Sequence, residues 1–242
     1  MPATSSHRLN RFVRSSLLDT AVDAPETVSV TRRRVVCAVT LLLGAGVMGW
    51  SLNLPAGDRL FYVATAVLAL VWVAGGRLSG PVATTGARRV ETGTHRLGEA
   101  FVIGLSLLLL FLVGAVGVSQ VPVLEAPVQG LLDHARKGSL AVVAVVTAVN
   151  GLTEEYFFRG ALFQALPARW RIAGTTVLYG AVTAMSGVPL LVLAALMLGA
   201  VVALQRRATG GLVAPVVTHL TWSLGMLFLL PPTLDLAGHL LG

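Results

Sequence analysis

Cysteine and lysine are nearly absent: Cys37 and Lys137 are the single copies of each in 242 residues. One cysteine excludes an intrachain disulfide and a cysteine-rich zinc site, and Cys37 is expected to pack as a small apolar side chain. Charge is scarce as well, with Asp, Glu, Lys and Arg at 12%, about half the share usual in soluble domains. No internal repeat, no long low-complexity stretch and no His-Glu-x-x-His motif occurs. Hydrophobic residues fill the chain instead, at 55%. A chain of this length cannot enclose a core large enough to hide that much apolar surface, so the excess must face lipid.

The apolar residues gather in runs near the length of a bilayer-spanning helix, about 20 residues. They predict an all-α, polytopic membrane helix bundle of about seven transmembrane helices, over 35–54, 60–74, 99–118, 140–166, 172–186, 190–206 and 212–230. Gly187-Val188-Pro189 is expected to part the fifth helix from the sixth, and Pro231-Pro232 to end the seventh. Residues 1–31 are polar and mixed, and read as a flexible cytoplasmic tail with a short helix around 9–18. Residues 32–242 form the membrane domain. Arg32-Arg33-Arg34 lie late and no small-x-small cleavage site follows the run, so it reads as a retained helix rather than a secretory signal.

Net charge is +7, yet the arginines do not gather on one amphipathic face, and no nucleic-acid partner is expected. They sit in short clusters between apolar runs, as topology signals do. With the N-terminus cytoplasmic, seven spans put 14 arginines inside, against Arg59, Arg136 and Lys137 outside. An even number of spans would strand a basic cluster on the wrong side. The expectation is a multi-pass protein of the cell membrane with its N-terminus in the cytoplasm.

An ionisable residue at mid-helix costs roughly 2.5–3.5 kcal/mol on insertion scales and by default marks a functional site. The fourth run holds three: Glu154, Glu155 and Arg159. Glu154 lies 17 residues after Lys137 and 15 before Arg169, near mid-depth. Glu155 and Arg159 are four apart, share a helix face and can pair. Glu154 points about 100° away, lacks a partner on its own helix and can take a proton from water as a general base does. A network that only tied helices together would not need this uncompensated second acid. On the seventh run His219 is the one histidine at mid-depth, 12 residues after Arg207 and 12 before Pro231, with Ser223 one turn on along the same face. A catalytic or substrate-polarising role is expected for it. Tyr179, Thr183 and Ser186 on the fifth run are accessory candidates, although hydroxyls on such helices commonly bond their own backbone.

The run Glu154-Glu155-Tyr156-Phe157-Phe158-Arg159-Gly160 resembles the Glu-Glu-x-x-x-Arg signature of the CPBP family, intramembrane proteases related to the CAAX prenyl endopeptidases and bacteriocin-processing proteins. Thr209-Gly210-Gly211-Leu212-Val213-Ala214-Pro215-Val216-Val217-Thr218-His219 resembles the segment ending in that family's last histidine. The similarity covers 140–230. The resemblance implies that Glu154 activates the attacking water, that Glu155 and Arg159 support it, and that His219, with Ser223 at its companion position, stabilises the oxyanion. The family usually carries Phe-x-x-x-His on the intervening helix. Here Leu178–Ser186 contains no histidine; Thr183 takes the place by motif spacing, Ser186 by distance to the following helices. Neither is a base near pH 7, and a positioned acid–base group is worth about 10²–10⁴ in rate.

A catalytic zinc needs about three protein ligands, whereas the core offers one histidine and two carboxylates, one tied to Arg159. Zinc is therefore set aside and no cofactor is expected. The leading expectation is a glutamate-type intramembrane endopeptidase acting on a peptide or protein substrate in or near the lipid bilayer. A non-catalytic membrane binder or chaperone is the alternative that the missing histidine suggests. A small transporter ranks last, because inverted repeats and paired broken helices are not seen.

Overall fold

The computed structural model describes residues 9–10, 12–20, 28–84, 93–118, 130, 133 and 139–241, and among them every regular element is helical. The main helices are α1 (Val30–Leu52), α2 (Arg59–Leu78), α3 (Gly93–Val118), α4 (Leu140–Ala165), α5 (Arg171–Thr183), α6 (Pro189–Thr209) and α7 (Val213–Leu241). All but α5 are long and apolar enough to cross a bilayer. Their outward faces carry Leu42, Leu70 and Val113 at 76%, 66% and 73% exposure, a cost no water-facing surface would carry and a natural match to acyl chains. The protein is a multi-pass membrane bundle.

Two expectations change, while the fifth run keeps its expected bounds: it is 13 residues of α-helix extended by one tighter turn, Ala184–Ser186, shorter than a usual crossing. It packs mainly on α6, ends at Gly187 in the left-handed region, and α6 starts with Pro189 at its first turn. Pro231-Pro232 do not end the last helix, which runs on to Leu241. Tertiary packing overrides the prolines there: Leu230 and Leu234 are buried against Leu112, Ala115 and Met226, and the Thr233 hydroxyl donates to the Leu229 carbonyl at 2.6 Å. Finally, α1 begins at Val30, so Arg32, Arg33 and Arg34 lie inside its first turns.

Cations at a helix N-terminus oppose the helix dipole. These three turn to the C-terminal ends of neighbouring helices instead. Arg32 donates to the Leu78 carbonyl at 3.2 Å, and Arg34 Nε to the Ala165 carbonyl at 3.1 Å. Arg33, 2% exposed, donates to Gln164 Oε1 at 2.7 Å and to the Pro81 carbonyl at 3.3 Å. The basic cluster thus also caps α2 and α4. At the same end of the bundle a helical turn, Arg14–Leu18, packs on α6. Ser16 Oγ donates to Glu99 Oε2 at 2.6 Å, and Arg207 to the Leu17 carbonyl at 3.4 Å. This turn falls within the helix expected around 9–18.

The core that seats α4 is aromatic. Trp72 of α2 is fully buried, stacked on Phe157 at 5.0 Å and tilted against Phe158 at 5.1 Å. Cys37, 1% exposed, joins this cluster as a small apolar side chain. A second cluster, including Leu107, Leu108, Leu198, Val202 and Trp222, holds α3, α6 and α7 together.

Helix α1 approaches this core through Gly44, where a Cβ would run into the Trp72 indole. Gly44→Ala is expected to destabilise the protein by about 1–3 kcal/mol through overpacking. Gly46→Ala, with nothing near its Cβ, should leave stability unchanged or slightly raised. Thermal unfolding of both variants in detergent checks this contrast.

Candidate active site

The site is built where α4 changes its winding. The helix is α-helical to Glu154 and π-helical over Glu155–Leu162. A π-turn closes its hydrogen bonds one residue later than an α-turn, and such segments recur at functional sites. The wider turn lets two adjacent acids serve one histidine. It also leaves backbone carbonyls to be satisfied from elsewhere: Arg206 Nε of α6 donates to the Arg159 carbonyl at 2.8 Å.

Glu155 and Arg159 are fully buried, and Arg159 donates to Glu155 Oε1 at 3.2 Å. The guanidinium also donates to the Gly199 carbonyl at 3.2 Å and lies 4.8 Å from the Tyr179 ring centroid, a cation–π position. Gly199 permits this approach, since a Cβ there would sit 3.1 Å from the guanidinium. Glu155 Oε1 has a second partner in His219 Nδ1 of α7, at 2.8 Å. An ionised, arginine-paired carboxylate only accepts, so Nδ1 carries the hydrogen and Nε2 is left for chemistry.

That Nε2 lies 3.9 Å from Glu154 Oε2, too far for a direct hydrogen bond and close enough for both groups to act on one reacting atom. The same Oε2 accepts from the Tyr179 hydroxyl at 2.7 Å. Glu154, expected to be unpaired, is therefore held by a hydroxyl of α5 and faced by the imidazole. Sequence spacing shows partners on the same helix only, and α5 supplies this one through tertiary packing. Two carboxylates, one guanidinium and one imidazole make a neutral cluster when a single extra proton resides on Glu154 or on His219.

Glu154 and His219 sit at the inner end of a cavity of about 580 Å³, with the Tyr179 phenol beside them in its wall. The wall is otherwise mostly Leu, Val, Met and Phe. Ser223 Oγ, Asn150 Oδ1 and Trp222 Nε1 are buried along it without a partner among the described residues, which is costly unless something bound there uses them.

The structure brings Glu154, Glu155, Arg159, His219 and Tyr179 together and puts Ser223 on the cavity wall. Thr183 lines the cavity, but its hydroxyl donates to its own helix at the Tyr179 carbonyl, 2.9 Å away. Ser186 closes the turn after α5 by accepting from Val188 N at 3.2 Å. Tyr179 departs from the expected backbone-bonded hydroxyl because its phenol reaches past its own helix. Sequence reasoning missed Asn150, whose place one turn before Glu154 is a readable signal. It also missed Gln205, which donates to Thr218 Oγ1 at 2.9 Å while Thr218 donates to the Ala100 carbonyl at 2.8 Å, bracing α7 beside His219. Among the described residues no three His, Cys, Asp or Glu side chains are grouped as metal ligands.

Residues 136–225, a little over a third of the chain, match the family described as Type II CAAX prenyl endopeptidase Rce1-like. No curated protein and no solved structure is matched. The matched segment contains Glu154, Glu155, Arg159, Tyr179, His219 and Ser223.

Removing the cation would leave Glu155 buried with its charge uncompensated. Arg159→Ala is expected to cost about 3–5 kcal/mol of stability. Arg159→Lys should rescue only partly, because a lysine lacks the fork that reaches Glu155 and the Gly199 carbonyl together. Thermal unfolding in detergent checks both variants.

Proposed function

We propose that this chain, whose residues 136–225 match the family described as Type II CAAX prenyl endopeptidase Rce1-like, is an intramembrane endopeptidase of the cell membrane that hydrolyses peptide bonds with a glutamate-activated water. The observation that carries the reading is the buried pair of Glu154 and His219, 3.9 Å apart at the end of an apolar cavity. Tyr179 engages Glu154 Oε2 and leaves Oε1 to take a proton from water.

In the proposed reaction the water oxygen bonds to the substrate's carbonyl carbon as its proton passes to Glu154. The carbonyl oxygen takes up negative charge and accepts hydrogen bonds from protonated His219 Nε2 and from Ser223 Oγ, the donor set of an oxyanion hole. Glu154 then returns its proton to the amide nitrogen, the C–N bond breaks, and a carboxylic acid and an amine leave. Glu155 is a positioning residue here, since it holds the imidazole by Nδ1 while Arg159 holds Glu155. The scheme needs no metal or other cofactor.

A second reading has its own observation. Thr183 and Ser186 both spend their hydroxyl groups locally, so α5 offers no base beside the water. A membrane binder or chaperone that keeps the cavity without the chemistry fits that feature.

Purified protein in detergent, given an apolar peptide library, separates the two readings. Glu154→Gln and His219→Ala are each expected to lower the cleavage rate about 10²–10⁴-fold with little change in thermal unfolding. Tyr179→Phe should lower kcat more than it raises KM. Equal cleavage by native protein and Glu154→Gln would overturn the assignment. A cellular role that survives Glu154→Gln favours the binder.

A further inference from the structure

The bundle is polar end to end. Arg32, Arg33 and Arg34 at the start of α1 reach the last carbonyls of α2 and α4. Arg206 and Arg207 close α6, and Arg207 reaches the Arg14–Leu18 turn. Arg169 follows α4. These cations share one end of the molecule. The cavity reaches the other end. From Glu154 and His219 it extends past Ser51 and Leu52 at the close of α1, Phe61 at the start of α2, and Leu190 at the start of α6. Arginine-rich ends stay in the cytoplasm, so the far end of the cavity lies at the opposite face.

We infer that the cavity receives an apolar stretch of polypeptide from the arginine-poor, non-cytoplasmic side of the bilayer. This rests on the proteolytic reading for what happens next, but the side of access stands on the cavity's position and the arginine distribution. Three features define the occupant. Between Glu154 and Leu52 the wall, among the described residues, carries no charge that would compensate a charged side chain, and such a side chain would be costly at that depth. Its volume of about 580 Å³ lies in the range of ligand pockets, roughly 300–1,000 Å³, enough for a few residues and too small for a whole helix. The buried Asn150 Oδ1 and Ser223 Oγ, without partners among the described residues, offer an acceptor and a hydroxyl to an extended backbone whose own N–H and C=O groups have no water to turn to. The substrate class is therefore the uncoiled apolar segment of an exported or membrane-inserted chain, presented from outside.

The test uses the full-length protein in a Cys37→Ala background. Single cysteines are placed by Leu52→Cys and Leu190→Cys on the cavity wall and by Arg169→Cys at the basic end. A membrane-impermeant charged maleimide is added to intact cells and, separately, to inverted vesicles. Leu52→Cys and Leu190→Cys should label in intact cells, and Arg169→Cys in inverted vesicles alone. Cavity cysteines that label only in inverted vesicles, or from neither side, overturn the inference. In proteoliposomes, an apolar peptide with a charged impermeant tail should be cut when supplied at the arginine-poor face, and labelled Leu52→Cys should cut it at least tenfold more slowly. Labelling from outside with no peptide cleavage leaves the access side standing and removes the proteolytic reading instead.

Discussion

Glu155 Oε1 is the point on which the site depends. One buried oxygen accepts from Arg159 on its own helix and from His219 on α7. A lone carboxylate, guanidinium or imidazole at this depth would carry a desolvation penalty of several kcal/mol. Together they share it, and the sharing ties α4 to α7 at a fixed imidazole tautomer. Arg159 needs a carbonyl on α6 close enough to use, and Gly199 supplies it by lacking a side chain. Removing Arg159 leaves Glu155 buried without a countercharge, whereas removing His219 leaves the Glu155–Arg159 pair intact.

The winding of α4 serves the same interaction. In a regular α-helix two adjacent acids diverge and serve different faces. Across the π-helical stretch they come to bear on the two nitrogens of one imidazole. Arg206 satisfies a carbonyl within that stretch, so a cation that counts toward membrane topology also supports local geometry. Arg32 and Arg34 do likewise at the ends of α2 and α4. The basic end of the bundle is thus its structurally closed end. The apolar cavity occupies the other half.

Much of this was legible beforehand. Apolar runs marked most of the helices within about six residues, the last one excepted at its C-terminal end, because lipid demands length and composition. The buried acids, Arg159 and His219 stood out because charge is rare in such runs. The Glu155–Arg159 pair followed from spacing of four. Pro231-Pro232 misled, since a local stop signal was overridden by the packing of Leu230 and Leu234 on α3. The fifth run was read at its true length, and that short length is tolerated because the stretch leans on α6.

Sequence alone determined which groups are chemically able to act: two acids, one arginine and one histidine inside an apolar chain, and the polarity of its ends. Tertiary structure decided how they act. That Tyr179 holds Glu154, that Glu155 holds His219, and that Ser223 and Asn150 face one cavity are contacts between helices. Helical periodicity reports only which residues share a face of one helix. It carries no information on which face of another helix is turned toward it, and that is set by how glycines and aromatic rings allow the helices to pack.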